Sequence, residues 1–417
     1  MSTDPLVFWF NGGPGCSSLT GFLYLNGPVL LKDGKFMEEN PYSWTKFSNV
    51  VWLESPVSVG FSYSKINTHP DDNISAARDN YLAVMRFLEI FPKFKNHDIF
   101  LAGGSYAGIF IPMLSSRILE GSNDIKLKNL AEATEYFRNI QKASEALQFP
   151  LEDSGDNILY MTHLLLGKCE FRITYFHNPD NLSYWSRNCV GLAIGSFSLS
   201  LNIKTSFIFS YTHGIIDEET YRKIIKNCCY EKTIEECDIL DDWANTACHQ
   251  MYNIIAEIKA LDIYDINREC ENLNCNKTFE LTNNYMNRED VREILKIPKG
   301  VKKWTTCQTD FKFSRGFLEM DQDFRKASRE NVKSLLFYGD ADMVCPFTMG
   351  QLMLDRLGLK LLQDSSVYAI NETIIGQKTV YENIEFLVFK NAGHILPSTH
   401  PEAFFEIHRR FFNFENV

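Results

Sequence analysis

The stretch HDIFLAGGSYAGIFIPMLSSRIL, residues 97–119, constrains the fold most. An apolar run of strand length meets four small residues around Ser105 and continues into a helical pattern. A chain can turn that sharply only where side chains are small enough to let the backbone fold back. The same alternation recurs. PLVFWF (5–10) is an apolar run that stops at the turn formers NGGPG, and Val50 to Leu53 is a second one. ISAARDNYLAVMRFLEIF carries apolar residues at helical spacing (Tyr81, Val84, Met85, Leu88) and stops before Pro92. Apolar runs ending near Asp342 and His394 read as two further strands entering polar loops. Strands alternating with helices predict an α/β fold with a mixed, mostly parallel central sheet.

With 45% hydrophobic and 23% charged residues, the 417-residue chain is neither disordered nor fibrous. A net charge of −11 without a basic run argues against nucleic acid or an anionic membrane as partner. No apolar run reaches about 18 residues, so no membrane-spanning helix is expected. The start MSTDPLVFWF lacks a charged n-region and a small-residue cleavage site, so no signal peptide is expected in it.

Eleven cysteines are too few for a disulfide scaffold, but Cys228, Cys229, Cys237, Cys248, Cys270 and Cys275 crowd together. That cluster has no CxxC pair and only His249 among its histidines, which disfavours zinc. Disulfides formed in an oxidising compartment fit better. Sequons at Asn73, Asn181, Asn276 and Asn371 agree with secretion. The segment 215–295 is charged, Cys-rich and helical in pattern, and is expected to be a helical cap stapled by disulfides. The core is expected over 1–214 and 296–417.

GGSYAG approaches the G-x-S-x-G elbow, in which a strand-to-helix turn lifts a serine hydroxyl clear of the sheet. A serine nucleophile needs a base and a group that orients the base. His394, just past the last strand, is the candidate base. Asp340 and Asp342, both at the end of an earlier strand, compete for the orienting role. Loops at the carboxyl ends of parallel strands are where open α/β sheets place their sites. An oxyanion needs two N–H donors: Tyr106 follows the serine, and the Gly-rich turn Asn11–Gly15 can supply the other.

Five motifs, in order, resemble the serine carboxypeptidases, nearest to their lysosomal branch: WFNGGPGCSS, NPYSWTKFSNVVWLESP with VGFSYS, GGSYAG, YGDADMVC and NAGHILP. The resemblance covers 5–122, 190–320 and 331–417. It implies an α/β-hydrolase fold with an inserted helical cap. It also implies release of C-terminal residues from peptides through an acyl-enzyme, without a cofactor or metal. Carried over by position, Ser105 is the nucleophile, His394 the base and Asp342, rather than Asp340, its partner. Gly13 and Tyr106 match the oxyanion hole, and Asn11 and Gly12 the groups that hold the substrate carboxylate. Cys16 matches a cysteine bonded to Cys307, and Cys345 a buried free thiol. A lysosomal, vacuolar or secreted location and a monomer or homodimer are implied.

The sequence departs from the family in four places. A signal peptide and about 40 residues ahead of PLVFWF are missing, so one sheet edge is expected to be unpaired. About 60 residues without resemblance, near 129–190, separate IKLK from GLAIGS, which the family joins in one strand. They are either an inserted subdomain or sequence that the mature enzyme lacks; the second fits better, because an insertion inside a strand disrupts its hydrogen bonding. Gly195-Ser196-Phe197 replaces a G-N-G. Two family glutamates are replaced by Leu25 and Gly104. Besides a carboxypeptidase, the same triad could serve an esterase or acyltransferase, or the chain could be an idle homologue that binds and protects other hydrolases.

Overall fold

The computed structural model describes residues 4–64, 72–122, 189–194, 199–229, 261–269, 277–308, 313–314 and 320–413. Eight strands form one sheet: β1 (Leu6–Phe10), β4 (Asn49–Trp52), β5 (Ile99–Gly103), β6 (Cys189–Ile194), β7 (Lys333–Gly339), β8 (Leu361–Ile370), β9 (Thr373–Tyr381) and β10 (Ile384–Phe389). Their order is β4-β1-β5-β6-β7-β10-β9-β8, parallel from β4 to β10. The pairs β10–β9 and β9–β8 are antiparallel, so the mixed sheet is as expected. A separate hairpin joins β2 (Val29–Lys32) and β3 (Phe36–Glu39). Among the described residues, β4 pairs only with β1 and stands at one end of the sheet.

Every residue of β1 and β5 is buried. Strands covered on both faces read as continuous apolar runs, which is why the sequence marks them so clearly. Alternate side chains enter opposite layers. Phe8, Leu101, Leu336 and Phe386 meet α2 (Asn73–Ile90), α3 (Ala107–Ser122), α8 (Asp321–Arg329) and α9 (Phe347–Leu357) on one face. Val7, Trp9, Phe100 and Phe337 meet Trp44 and the last helix, α10 (Pro401–Phe412), on the other.

Local chemistry sets the helix ends. Asp72 accepts from Ser75 N at 2.8 Å and Ser75 Oγ returns to the Asp72 backbone, a capping box that starts α2. The same helix ends at Ile90, ahead of Pro92, as the spacing predicts. The strand β6 pairs with β5 on one side and, through Gly191–Ile194, with β7 on the other. IKLK, the stretch up to β6 read as an insertion and Gly195-Ser196-Phe197 lie outside the described residues.

Within 215–295 the described residues form three helices, α5 (Glu218–Cys229), α6 (Lys277–Met286) and α7 (Glu289–Ile294), and a non-helical stretch, 261–269. The helix α4 (Leu199–Thr212) packs beside α5. Cys228 and Cys229 are both disulfide-bonded; Cys237, Cys248, Cys270 and Cys275 lie outside the described residues. Asn371 is exposed in the β8–β9 turn, whereas Asn73 is buried. The sequons at Asn181 and Asn276 are not described.

Candidate active site

Three parallel strands deliver the expected groups at their carboxyl ends: Ser105 after β5, Asp342 after β7 and His394 after β10. Ser105 has φ 60°, in the left-handed region that a side chain enters only when the surroundings impose it. The imposing contact is close. A side chain at Gly12 would strike Tyr106 N, Ser105 Cβ and Gly104 O, so the turn after β1 lies directly on the turn after β5. A side chain at Gly103 would meet Phe10 O and Ala107 Cβ. The glycines that mark the sequence are therefore the points where two strand-end turns touch.

His394 Nδ1 lies 2.7 Å from Asp342 Oδ2. Oδ1 of Asp342 accepts from Val344 N at 2.9 Å and Cys345 N at 3.0 Å, which fixes the carboxylate before it meets the ring. Asp340 is turned away and accepts from Ala392 N at 3.3 Å, bracing the His394 loop from behind. The structure thus separates two acids that the residues alone left in competition. Burial by itself disfavours a charged ring. The Asp342 carboxylate, helped by Cys345, outweighs it and holds His394 well above the usual histidine value. Cys345 is a free, buried thiol whose sulfur lies within 4.8 Å of a His394 ring nitrogen. No hydrogen bond among the described residues joins Ser105 to His394. Such bonds commonly tighten only when substrate is bound.

Asp342, Cys345 and His394 are also the one group among the described residues with metal-ligand chemistry and spacing. Their polar atoms are already engaged with each other and with backbone N–H groups, which is the arrangement of an oriented base.

The Asn11–Ser18 turn is held from several sides. Trp9 Nε1 donates to Asn11 Oδ1 at 2.7 Å. An indole N–H can only donate, so the amide oxygen faces Trp9 and the NH₂ end faces away from it. Asn11 N donates to Ser18 Oγ at 3.0 Å. Gly13 has φ 114°, which favours glycine. Cys16 is bonded to Cys307, the pairing that the resemblance implies. Ser17 N donates to Thr306 O and Gln308 N to Gly15 O, flanking that bond.

Two groups went unassigned in the sequence. The first is the strap 261–268. Tyr264 O accepts from His394 N at 2.6 Å, and its ring meets the His394 ring edge-on at 5.2 Å. Ile263 O accepts from Met343 N, and Ile266 N donates to Ala341 O. One strap, expected to belong to the cap, therefore braces both the acid loop and the base loop. Its only sequence signal is the alternation Leu261, Ile263, Ile266 with Asp262 and Asp265. The second is Glu54, buried at 5% exposure after β4. An acid between Leu53 and Ser55-Pro56 was its only sign.

Comparison with known proteins agrees with this geometry. A sequence profile described as "Serine carboxypeptidase" matches residues 1–133 and 177–414. The unmatched 134–176 lie within the insertion read from the sequence. A Caenorhabditis elegans protein named serine carboxypeptidase ctsa-4.1 is 30% identical over 99% of this chain and 84% of its own length. The Mus musculus lysosomal protective protein is 28% identical over 99% of this chain and 85% of its own. The prohormone-processing carboxypeptidase Kex1 of Saccharomyces cerevisiae superposes with a TM-score of 0.70 at 18% identity, covering 99% of this chain and 83% of its own, which shows a shared fold. With the profile spanning most of the chain and these relatives spanning nearly all of it, the protein belongs to the serine carboxypeptidase family.

Proposed function

We propose that this family member hydrolyses C-terminal peptide bonds with Ser105 as nucleophile, His394 as base and Asp342 as orienting acid. The observation that carries the reading is the 2.7 Å His394–Asp342 pair at the sheet edge that also bears Ser105. Asp342 accepts from Nδ1 and leaves Nε2 as the ring's proton acceptor. Ser105 Oγ attacks the scissile carbonyl as its proton passes to Nε2. The N–H groups of Gly13 and Tyr106 stabilise the oxyanion. The leaving amine takes the proton, and water then hydrolyses the acyl-enzyme by the reverse proton route.

Asn11 is assigned to the substrate's terminal carboxylate, because Trp9 leaves its amide N–H groups as the available end. Gly12 N–H is assigned beside it. In the family this carboxylate also meets two glutamates; here Leu25 is half-buried against the core. A side chain added at Gly104 would find nothing within 4 Å, so that space is open. The reading is therefore a carboxypeptidase with a weaker hold on free C-termini, on which small esters compete well. A lysosomal or secreted location is supported by the Cys16–Cys307 bond and by the likeness to the mouse lysosomal protective protein. No described helix is long and apolar enough to cross a membrane.

The test is covalent labelling by a fluorophosphonate probe, with Ser105→Ala as control. Labelling of the unmodified protein alone is expected. Strong labelling that survives the change excludes Ser105 as nucleophile.

A further inference from the structure

We propose that Glu54 is a positioning residue for the oxyanion turn, joining Ser17 of that turn to the loop that carries Phe61. This rests on the reading of Gly13 and Ser105 given above. Ser17 Oγ donates to Glu54 Oε1, and Phe61 N donates to Oε2 at 2.5 Å. Ser17 Oγ in turn accepts from Leu19 N at 3.2 Å and Trp304 Nε1 at 3.1 Å. Three segments distant in sequence thus converge on one buried hydroxyl–carboxyl pair: the turn 11–18, the loop 54–61 and the stretch 302–308. The loop is shaped around the acid. Gly60 has φ 56°, and a side chain there would collide with the Glu54 carboxyl.

The charged neighbour is Lys302, whose Nζ donates to Ser58 O and, at 2.7 Å, to Gln308 Oε1. Burial pushes the Glu54 carboxyl up to about 7, against the opposing pull of Ser17, Phe61, Leu19 and Lys302. In acid the group is therefore neutral, and glutamine matches its length and charge but keeps only one of the two oxygens that accept from Ser17 and Phe61.

The consequence falls on catalysis rather than on binding. Ser17 lies four residues beyond Gly13. The disulfide and the 306–308 backbone hold the far end of this turn. Glu54 fixes where Ser17 sits within it. A donor displaced from a developing oxyanion weakens transition-state binding and leaves ground-state binding intact, so kcat falls while KM stays.

The experiment measures kcat and KM for a peptide at a series of pH values from about 5 to 8 in Glu54→Gln, Glu54→Asp and Glu54→Leu, each checked for folding by circular dichroism. Glutamine, which keeps the length and one of the two acceptors, should lower kcat less than leucine does. Aspartate, which withdraws the carboxyl by one methylene, should lower kcat by about tenfold. Leucine should lower it by about 10- to 100-fold, with KM within about threefold in all three. Normal kcat in the aspartate and leucine variants overturns the proposal, as does a loss carried by KM. If the leucine variant does not fold, the aspartate variant decides by the same criterion. Ser105→Ala is run alongside: surviving labelling overturns the site itself, whereas lost labelling with normal Glu54 variants overturns only the role of Glu54.

Discussion

Asp342 holds His394 by a 2.7 Å hydrogen bond across 52 residues of sequence, and two backbone N–H groups hold Asp342. Because the carboxylate keeps the imidazole pKa well above its usual value, the ring is protonated in acid and can act as base only as pH rises. The kcat/KM of a chromogenic ester should climb with pH through that raised value. Asp342→Asn removes both the charge and the tautomer control. It should lower kcat by about 10⁴-fold and move the climbing limb to lower pH. A limb that stays in place in the variant would show that Asp342 does not set the histidine's ionisation.

The Cys16–Cys307 bond closes a loop across 291 residues. The chain-entropy model gives about 6 kcal/mol for a loop of that size, an upper figure because strain in the folded state is left out. Replacing both cysteines by serine should lower the unfolding free energy by several kcal/mol in urea titrations. It should lower kcat as well, since the bond lies beside the oxyanion turn. Unchanged stability would mean that the bond constrains nothing in the unfolded chain.

His408 is fully buried among Trp44, Phe404, Phe337 and Phe412, and burial pushes it down to about 3. A depressed histidine contributes stability above its unfolded value, near 6.5, that is lost as pH falls towards the folded value. Between pH 7 and pH 5 the loss is about 2 kcal/mol. His408→Leu cannot take up the proton, so its stability should fall less over that interval, whatever the substitution costs at pH 7. Equal falls in urea titrations at the two pH values would contradict the assignment.

Gly104 has open space where a side chain would project, and Leu25 offers no donor. Restoring both family carboxyls with Leu25→Glu and Gly104→Glu should raise the preference for a free C-terminal acid over its amide by about tenfold or more in acid. The gain should fade above neutral pH, as paired carboxyls ionise and repel the substrate. If the unmodified protein already prefers the free acid by about a hundredfold, with an acid optimum, Asn11 and Gly12 suffice and the argument fails.

Much of the scaffold is written locally. The apolar runs of β1 and β5 are legible because both faces of each are buried, and α2 because its apolar spacing stops before a proline. The Ser105 elbow is legible because a backbone that tight admits few residue types. By itself the sequence therefore determined the strand-to-turn-to-helix units, the alternation that stacks them into a sheet, and which turns bring the candidate residues to one end of it. Residue types alone left Asp340 and Asp342 in competition, the family resemblance pointed to Asp342, and the tertiary structure turns Asp342 towards His394 and Asp340 away. It also placed Glu54 against Ser17 and laid the 261–268 strap across the loops of both Asp342 and His394. These contacts join residues tens to hundreds of positions apart. Their geometry is set by how whole layers pack, and no local pattern of size, polarity or spacing carries it.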